Sequence, residues 1–201
     1  MDILKYVIVI VLGYLMGSVS MSIILSKLKL GGDVRGKGSG NAGATNMARV
    51  YGWKAGGITL AADMLKSIIP MLVGMFLLGD RGICAGGIAA MLGHCFPVFY
   101  NFKGGKGVSV LAAIACMIDW RVVVIPLAMF IIVALLTKKV SAGSLTAAVG
   151  VIITSIVFSV GIPKIILAVF GSLMVIIQHR SNIKRLINGT EPDFHAAKKD
   201  K

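Results

Sequence analysis

"YVIVIVLGYLMGSVSMSIIL", residues 6–25, decides what kind of chain this is. With Met1–Lys5 ahead of it and "GSVS" inside it, the stretch imitates a secretory signal peptide. The apolar run nevertheless continues through Met21, Ile23, Ile24 and Leu25. At about 1.5 Å per residue it is long enough to cross a hydrocarbon layer of ~30 Å, so it reads as a first transmembrane helix.

Composition extends that reading to the whole chain. Of 201 residues, 57% are hydrophobic and 14% charged, and the mean hydropathy is +0.89. Soluble domains average about 45–50% apolar and about 25% charged residues. A chain this apolar buries its side chains in lipid, and we expect one all-α, polytopic membrane domain over residues 1–201. Further apolar segments lie at about 57–79, 83–100, 107–118, 122–137, 140–160 and 162–178. The weak member is 107–118, whose length as a helix is only ~18 Å. Cys84, Cys95 and Cys116 stand singly within apolar runs without CxxC spacing, so neither a disulfide nor a metal site is expected.

The net charge of +13 is a matter of topology rather than of nucleic-acid binding. With the loop after the first helix placed in the cytoplasm, alternation sends Lys27, Lys29, Arg35, Lys37, Arg49 and Lys54 inside. Lys103, Lys106, Lys138, Lys139, Arg180, Lys184, Arg185, Lys198, Lys199 and Lys201 follow them. Only Lys5, Arg81, Arg121 and Lys164 fall outside, and Lys66 lies within a span. The positive-inside rule therefore predicts seven transmembrane helices, N-terminus outside and C-terminus cytoplasmic. Five crossings remain open if 107–137 does not fully cross, with every cytoplasmic loop unchanged. Anionic membrane lipid adds attraction for the basic face.

Three polar islands then share the cytoplasmic side, in loops at about 27–56, 101–107 and 179–201. The first, "KGSGNAGATN" (37–46), satisfies G-x-G-x-x-G at Gly38, Gly40 and Gly43, and Asp63 follows roughly twenty residues on. No strand precedes it and Asp63 falls inside a span, so a dinucleotide site is rejected. What remains is glycine backbone able to approach an anion, with Ser39, Asn41, Thr45 and Asn46 as neutral hydrogen-bonding groups and Arg35, Lys37 and Arg49 nearby. The second island, "GHCFPVFYNFKGGKGV" (93–108), fails as a Walker A loop because Tyr100 and Gly107 stand where Gly and Ser or Thr are required. Lys103, Gly104, Gly105, Lys106 and Gly107 instead lead straight into a helix, whose N-terminus and two lysines suit a phosphate.

The third island is "QHRSNIKRLINGTE" (178–191). If the last helix continues through it, His179 and Asn182 share a face and Arg185 joins them. Within the membrane, Asp63 and Lys66 stand three residues apart, which favours a structural ion pair over a proton or ion pathway. Carboxylates suited to catalysis are scarce on the cytoplasmic face. Neither His94 nor His179 begins an H-x-x-x-x-D pattern, since Phe99 and Lys184 occupy the acid's position. His195 and Asp200 do have that spacing, in a polar tail where it reads as coincidence. Chemistry without a strong base needs an activated donor, and a basic site at the lipid surface suits transfer between a phosphorylated molecule and a lipid.

"GSGNAGATN" (38–46), "GHCFPVFYNFKGGKGV" (93–108) and "HRSNIKRLINGTE" (179–191) resemble the three signature motifs of the bacterial acyl-phosphate:glycerol-3-phosphate acyltransferase family (PlsY). The resemblance covers essentially the whole chain; one departure is Gln178, where the family often has Arg. It implies a seven-helix enzyme of the bacterial inner membrane that acylates position 1 of sn-glycerol 3-phosphate from acyl-phosphate. The products are lysophosphatidic acid and phosphate, and neither acyl-CoA nor any cofactor or metal is implied. Membrane lipid and the soluble enzyme that supplies acyl-phosphate are the implied partners; nucleic acid is not. The motif match assigns catalysis to Ser39, Arg49, Lys106, His179 and Asn182. It assigns substrate binding to Asn41, Thr45, Asn46, His94, Lys103, Gly104, Gly105 and Gly107, and Glu191 a structural part. The base is either His179 or a substrate phosphate. A transporter for a phosphorylated solute is the competing class, but no internal repeat supports it, and a scaffold would not need the glycine–lysine cradle.

Overall fold

A computed structural model describes residues 2–195, which are all-helical with no strand among them. The expected cytoplasmic Lys198, Lys199 and Lys201, and Asp200, lie outside the described residues. Among the described residues nine α-helices follow in order: α1 (Asp2–Ser18), α2 (Met21–Lys29), α3 (Ala44–Leu78), α4 (Asp80–Cys95) and α5 (Val108–Ile118). Then come α6 (Trp120–Thr137), α7 (Val140–Val157), α8 (Ile162–Gln178) and α9 (Arg180–Ile187).

Length and hydropathy give five spans: Asp2–Lys29, Ala44–Leu78, Asp80–Tyr100, Trp120–Thr137 and Val140–Val157. The α8/α9 pair, bent by 60°, makes a sixth if counted as one. The remaining segment, α5, has 11 residues and is too short to match a bilayer by itself. Its surroundings explain the tolerance. Val110, Leu111, Ala113, Ile114 and Ala115 are buried, and α5 packs against α3, α4, α6 and α8. A helix enclosed by protein does not have to match the lipid. In contrast, α6 buries only Val122 and Pro126 and exposes Leu127, Ile132 and Leu136.

Small residues let the spans approach closely, as membrane helices require. A Cβ at Gly74 or Gly82 would collide with the backbone of the other, fixing α3 against α4.

Two boundaries differ from the sequence expectation, and both shape the site. The expected loop 27–56 is largely ordered helix: α3 begins at Ala44, and its first two turns are set off by a break at Gly52 (φ 83°, ψ 170°). A left-handed φ that Gly adopts without strain lets the helix change direction there without ending. The last span also does not run straight into the third island. It stops at Gln178, and α9 leaves at 60° beyond His179. Asp63 and Lys66 form the expected ion pair inside the bundle at 2.8 Å.

Candidate active site

One amphipathic cavity of about 1080 Å³ draws its lining from all three polar islands. The first island is organised by Asn46, in the first turn of α3. Its Oδ1 accepts the Ser39 amide (2.8 Å), and its Nδ2 donates to the carbonyls of Lys37 and Asn41 (3.0 Å each) and Val34 (3.2 Å). Asn46 is buried with its amide committed to the loop, so it shapes the wall. Gly38 permits this because a Cβ there would strike Asn46 Oδ1, and its φ of 59° is left-handed. The side chains of Ser39, Asn41, Thr45 and Arg49 are thereby set on the cavity wall.

From the second island come Lys106 and the start of α5. Gly107, at φ 83° and ψ 0°, is the N-cap, and the opening residues Val108 and Ser109 face the cavity. Their amides belong to the unpaired N–H groups of a helix start, which favour an anion. The third island turns inward because of the α8–α9 bend. His179 is buried with Nδ1 at 2.8 Å from the Val175 carbonyl, which places a proton on Nδ1 and, in the neutral ring, the lone pair on Nε2.

Lys106 Nζ donates to Asn182 Oδ1 across the cavity. Asn182 Nδ2 in turn donates to Glu191 Oε1 (2.7 Å), which also accepts from Ser141 Oγ (2.6 Å). Arg185 Nε closes the network on Glu191 Oε2 at 2.7 Å. Burial pushes the Glu191 carboxyl up, but the hydrogen bonds from Ser141, Asn182 and Arg185 outweigh it and hold the group below its ordinary range. Burial first, then the nearby Arg185 and Arg49 guanidinium groups, push the Lys106 ammonium down, against the pull of Glu191. Four cations, Arg49, Lys106, Lys138 and Arg185, therefore share a lining whose one carboxylate among the described residues is Glu191.

The predicted site residues divide. Ser39, Asn41, Thr45, Asn46, Arg49, His94, Lys106, Gly107, His179 and Asn182 meet at the cavity. Lys103, Gly104 and Gly105 do not line it. Lys103 is exposed and gives its carbonyl to Arg35 Nη1 (3.3 Å), while the Gly105 amide donates to the His94 carbonyl (3.1 Å). The sequence reading missed the opposite wall: Phe130, Ile131, Ala134 and Leu135 of α6, Lys138, and Ser141 and Ser144 of α7. With Gly56, Gly57 and Leu60 of α3, the α6 residues give the cavity an apolar flank beside its cationic one. No polar signal marked them, since apolar residues are what lipid-facing helices contain anyway. Phe194 closes the set: its amide donates to the Lys138 carbonyl (2.9 Å), and its ring meets Trp53 edge-on at 5.2 Å.

A bundle of membrane spans around a cavity with one cationic and one apolar flank defines a multi-pass membrane protein with an amphipathic site. The glycerol-3-phosphate acyltransferase family matches residues 7–189, and the chain belongs to that family. It is 40% identical over 181 residues to the glycerol-3-phosphate acyltransferase of Thermoanaerobacter pseudethanolicus, covering 90% of this chain and 91% of that one. The Bacillus subtilis protein of the same name is 38% identical over 183 residues, with 91% and 94% covered. Crystal structures of PlsY, an integral membrane glycerol 3-phosphate acyltransferase, have the same fold. Its glycerol 3-phosphate form superposes with a TM-score of 0.90 at 33% identity, over 94% of this chain and 96% of that one. Its lysophosphatidic acid form gives 0.87 at 31% identity, over 94% and 95%.

Proposed function

We propose that the chain transfers an acyl group from acyl-phosphate to position 1 of sn-glycerol 3-phosphate, giving lysophosphatidic acid and inorganic phosphate for phospholipid synthesis. The observation that supports this most is the double character of the cavity. Arg49, Lys106, Lys138 and Arg185 suit two phosphorylated substrates, while the α3 and α6 residues beside them suit an acyl chain. The membrane is then the bacterial inner membrane, and the donor comes from a soluble enzyme.

The sn-1 hydroxyl oxygen attacks the acyl carbonyl carbon, and the bond from that carbon to the phosphate oxygen breaks. Phosphate departs with the electron pair, and the hydroxyl proton ends on phosphate. Cations and the amides opening α5 stabilise charge growing on the carbonyl and leaving oxygens. Phosphate anchoring by Ser39, Asn41, Thr45 and Lys106 holds the two substrates in register. Direct transfer fits Ser39, whose amide is spent on Asn46 and whose hydroxyl meets no base among the described residues. His179 is oriented by a carbonyl and not by a carboxylate, so we assign the proton to substrate phosphate.

The topology that goes with this mechanism has seven crossings, counting α5, with the N-terminus outside and the C-terminus cytoplasmic. Cysteines introduced at Gly38 and Lys103 should then react only from the cytoplasmic side, and cysteines beside Asp80 and Asp119 only from outside. Activity is tested by giving the purified chain labelled glycerol 3-phosphate with either acyl-phosphate or acyl-CoA. Lysophosphatidic acid should form from acyl-phosphate alone. Equal turnover of acyl-CoA would overturn the donor assignment. Uptake of glycerol 3-phosphate into proteoliposomes without any product would replace the enzyme with a transporter.

A further inference from the structure

Between α3 and α4 lies a cluster of ionisable side chains that the mechanism does not use, of which only His94 reaches the cavity lining. Asp63 and Lys66 of α3 and His94 at the end of α4 are 1%, 9% and 5% exposed. Lys66 Nζ is 2.8 Å from Asp63 Oδ1 and donates to the Val19 carbonyl (2.6 Å), at the break between α1 and α2. His94 Nδ1 stands 3.9 Å from Asp63 Oδ1, close but too far for a hydrogen bond. The other edge of the ring faces the glycine–lysine loop, since a Cβ at Gly105 would collide with His94 Nε2. The His94 carbonyl accepts the Gly105 amide at 3.1 Å. The next residue, Lys106, is the one that reaches Asn182.

Charged groups within a span are costly, and a well-packed apolar pair holds helices together at least as well. Packing alone therefore does not account for an ion pair here. The geometry does: the pair joins α3 to the α1–α2 break and stands beside His94, whose ring backs the loop that delivers Lys106. We propose that Asp63, Lys66 and His94 are positioning residues that set the glycine–lysine loop, and through it Lys106, for phosphate binding. This rests on the function proposed above.

The test uses the full-length purified chain, with wild-type turnover of acyl-phosphate and glycerol 3-phosphate as reference. Asp63→Asn/Lys66→Met removes both charges together and leaves no unpaired buried ion. Because Lys106 anchors phosphate in the ground state as well as in the transition state, a displaced loop should raise the KM for glycerol 3-phosphate by about tenfold or more. KM is the deciding readout, since kcat also carries the cations' stabilisation of charge in the transition state. Lys66→Arg, which keeps the charge, should stay within about threefold of wild type in both constants. A merely structural pair would instead lower the active fraction, so kcat would fall with KM unchanged, and that result would overturn the proposal. Should the double variant not be recovered folded, Asp63→Leu/Lys66→Met decides: it replaces the pair by apolar side chains away from the cavity lining and is expected to raise KM by about the same factor. An unchanged KM in that variant would equally overturn it. Absence of wild-type turnover would remove the underlying reading and this proposal together, and is told apart because it needs no variant.

Discussion

The cations lining the cavity are held differently from Arg121 and Lys164 at the opposite end of the bundle. At the end where α5 meets α6 and α7 meets α8, Arg121 Nε lies 2.9 Å from Asp119, and Lys164 Nζ lies 3.0 Å from Asp80. Arg121 also rests 4.3 Å over the Phe158 ring, and its hydrogen bond holds the Asp119 carboxyl at about 2. Those charges are answered within the protein. At the cavity end, Arg185 alone of the four lining cations has a carboxylate within ion-pair distance among the described residues. Arg49, Lys106 and Lys138 have none there. Cations matched to carboxylates anchor a fold; cations gathered without them into a cavity await an anion.

The comparison breaks most readily at Lys106. Lys106→Ala should lower kcat/KM for glycerol 3-phosphate by roughly ten- to a hundredfold, as expected for charge-assisted hydrogen bonds of ~1.5–3 kcal/mol. Steady-state kinetics of Arg121→Ala should stay within about twofold of wild type, since exposed pairs contribute only about 0–1 kcal/mol. Equal losses would mean that bulk surface charge is being read.

Glu191→Ala sharpens the contrast from the other side. It strands the Asn182 amide and the Ser141 hydroxyl and frees Arg185, at roughly 1–3 kcal/mol for each buried group left unpaired. We expect a lower thermal midpoint and about a tenfold loss of kcat/KM. Asp80→Ala, at the paired end, should shift the midpoint far less.

A smaller effect is expected from pH. Because burial and neighbouring cations depress the Lys106 ammonium, it loses its proton below the ordinary lysine value of 10.5. The KM for glycerol 3-phosphate should rise as pH climbs through that depressed value. Lys106→Arg, which stays protonated, should abolish the alkaline rise. Unliganded stability moves the opposite way. A lysine with a folded pKa below its unfolded one opposes folding while charged, and that penalty is relieved as pH rises through the folded value. The smallest effect belongs to Lys139→Ala. Lys139 pairs with Asp193 at 2.9 Å on the surface, so kinetics should change by no more than about twofold.

Much of the cationic flank was legible in the sequence, because Gly, Asn, Ser and Lys are conspicuous in a chain of Ile, Val and Leu. Ser39, Asn41, Thr45, Arg49, Lys106, His179 and Asn182 could be read as convergent from their shared membrane side alone. The apolar flank could not. Phe130, Ile131, Ala134 and Leu135 differ in no property from the neighbours that α6 turns to lipid; only the placement of α3 across from them makes a wall. Helix breaks were equally hidden. Gly52 is one of 25 glycines, and the turn at His179 depends on where Glu191 captures Asn182 and Arg185. Lys103, Gly104 and Gly105 show the converse: their composition marks a phosphate loop, yet none lines the cavity, and the two glycines pack against the end of α4.

A phosphate site at the cavity is checked by equilibrium binding of glycerol 3-phosphate to the purified chain, with glycerol as control. Binding of the phosphorylated ligand should be saturable, with none of glycerol at the same concentration. The affinity should weaken about tenfold or more in Lys106→Ala and stay unchanged in Arg121→Ala. Binding of glycerol as tight as that of its phosphate, or equal losses in the two variants, would contradict a phosphate site at the meeting point of the three islands.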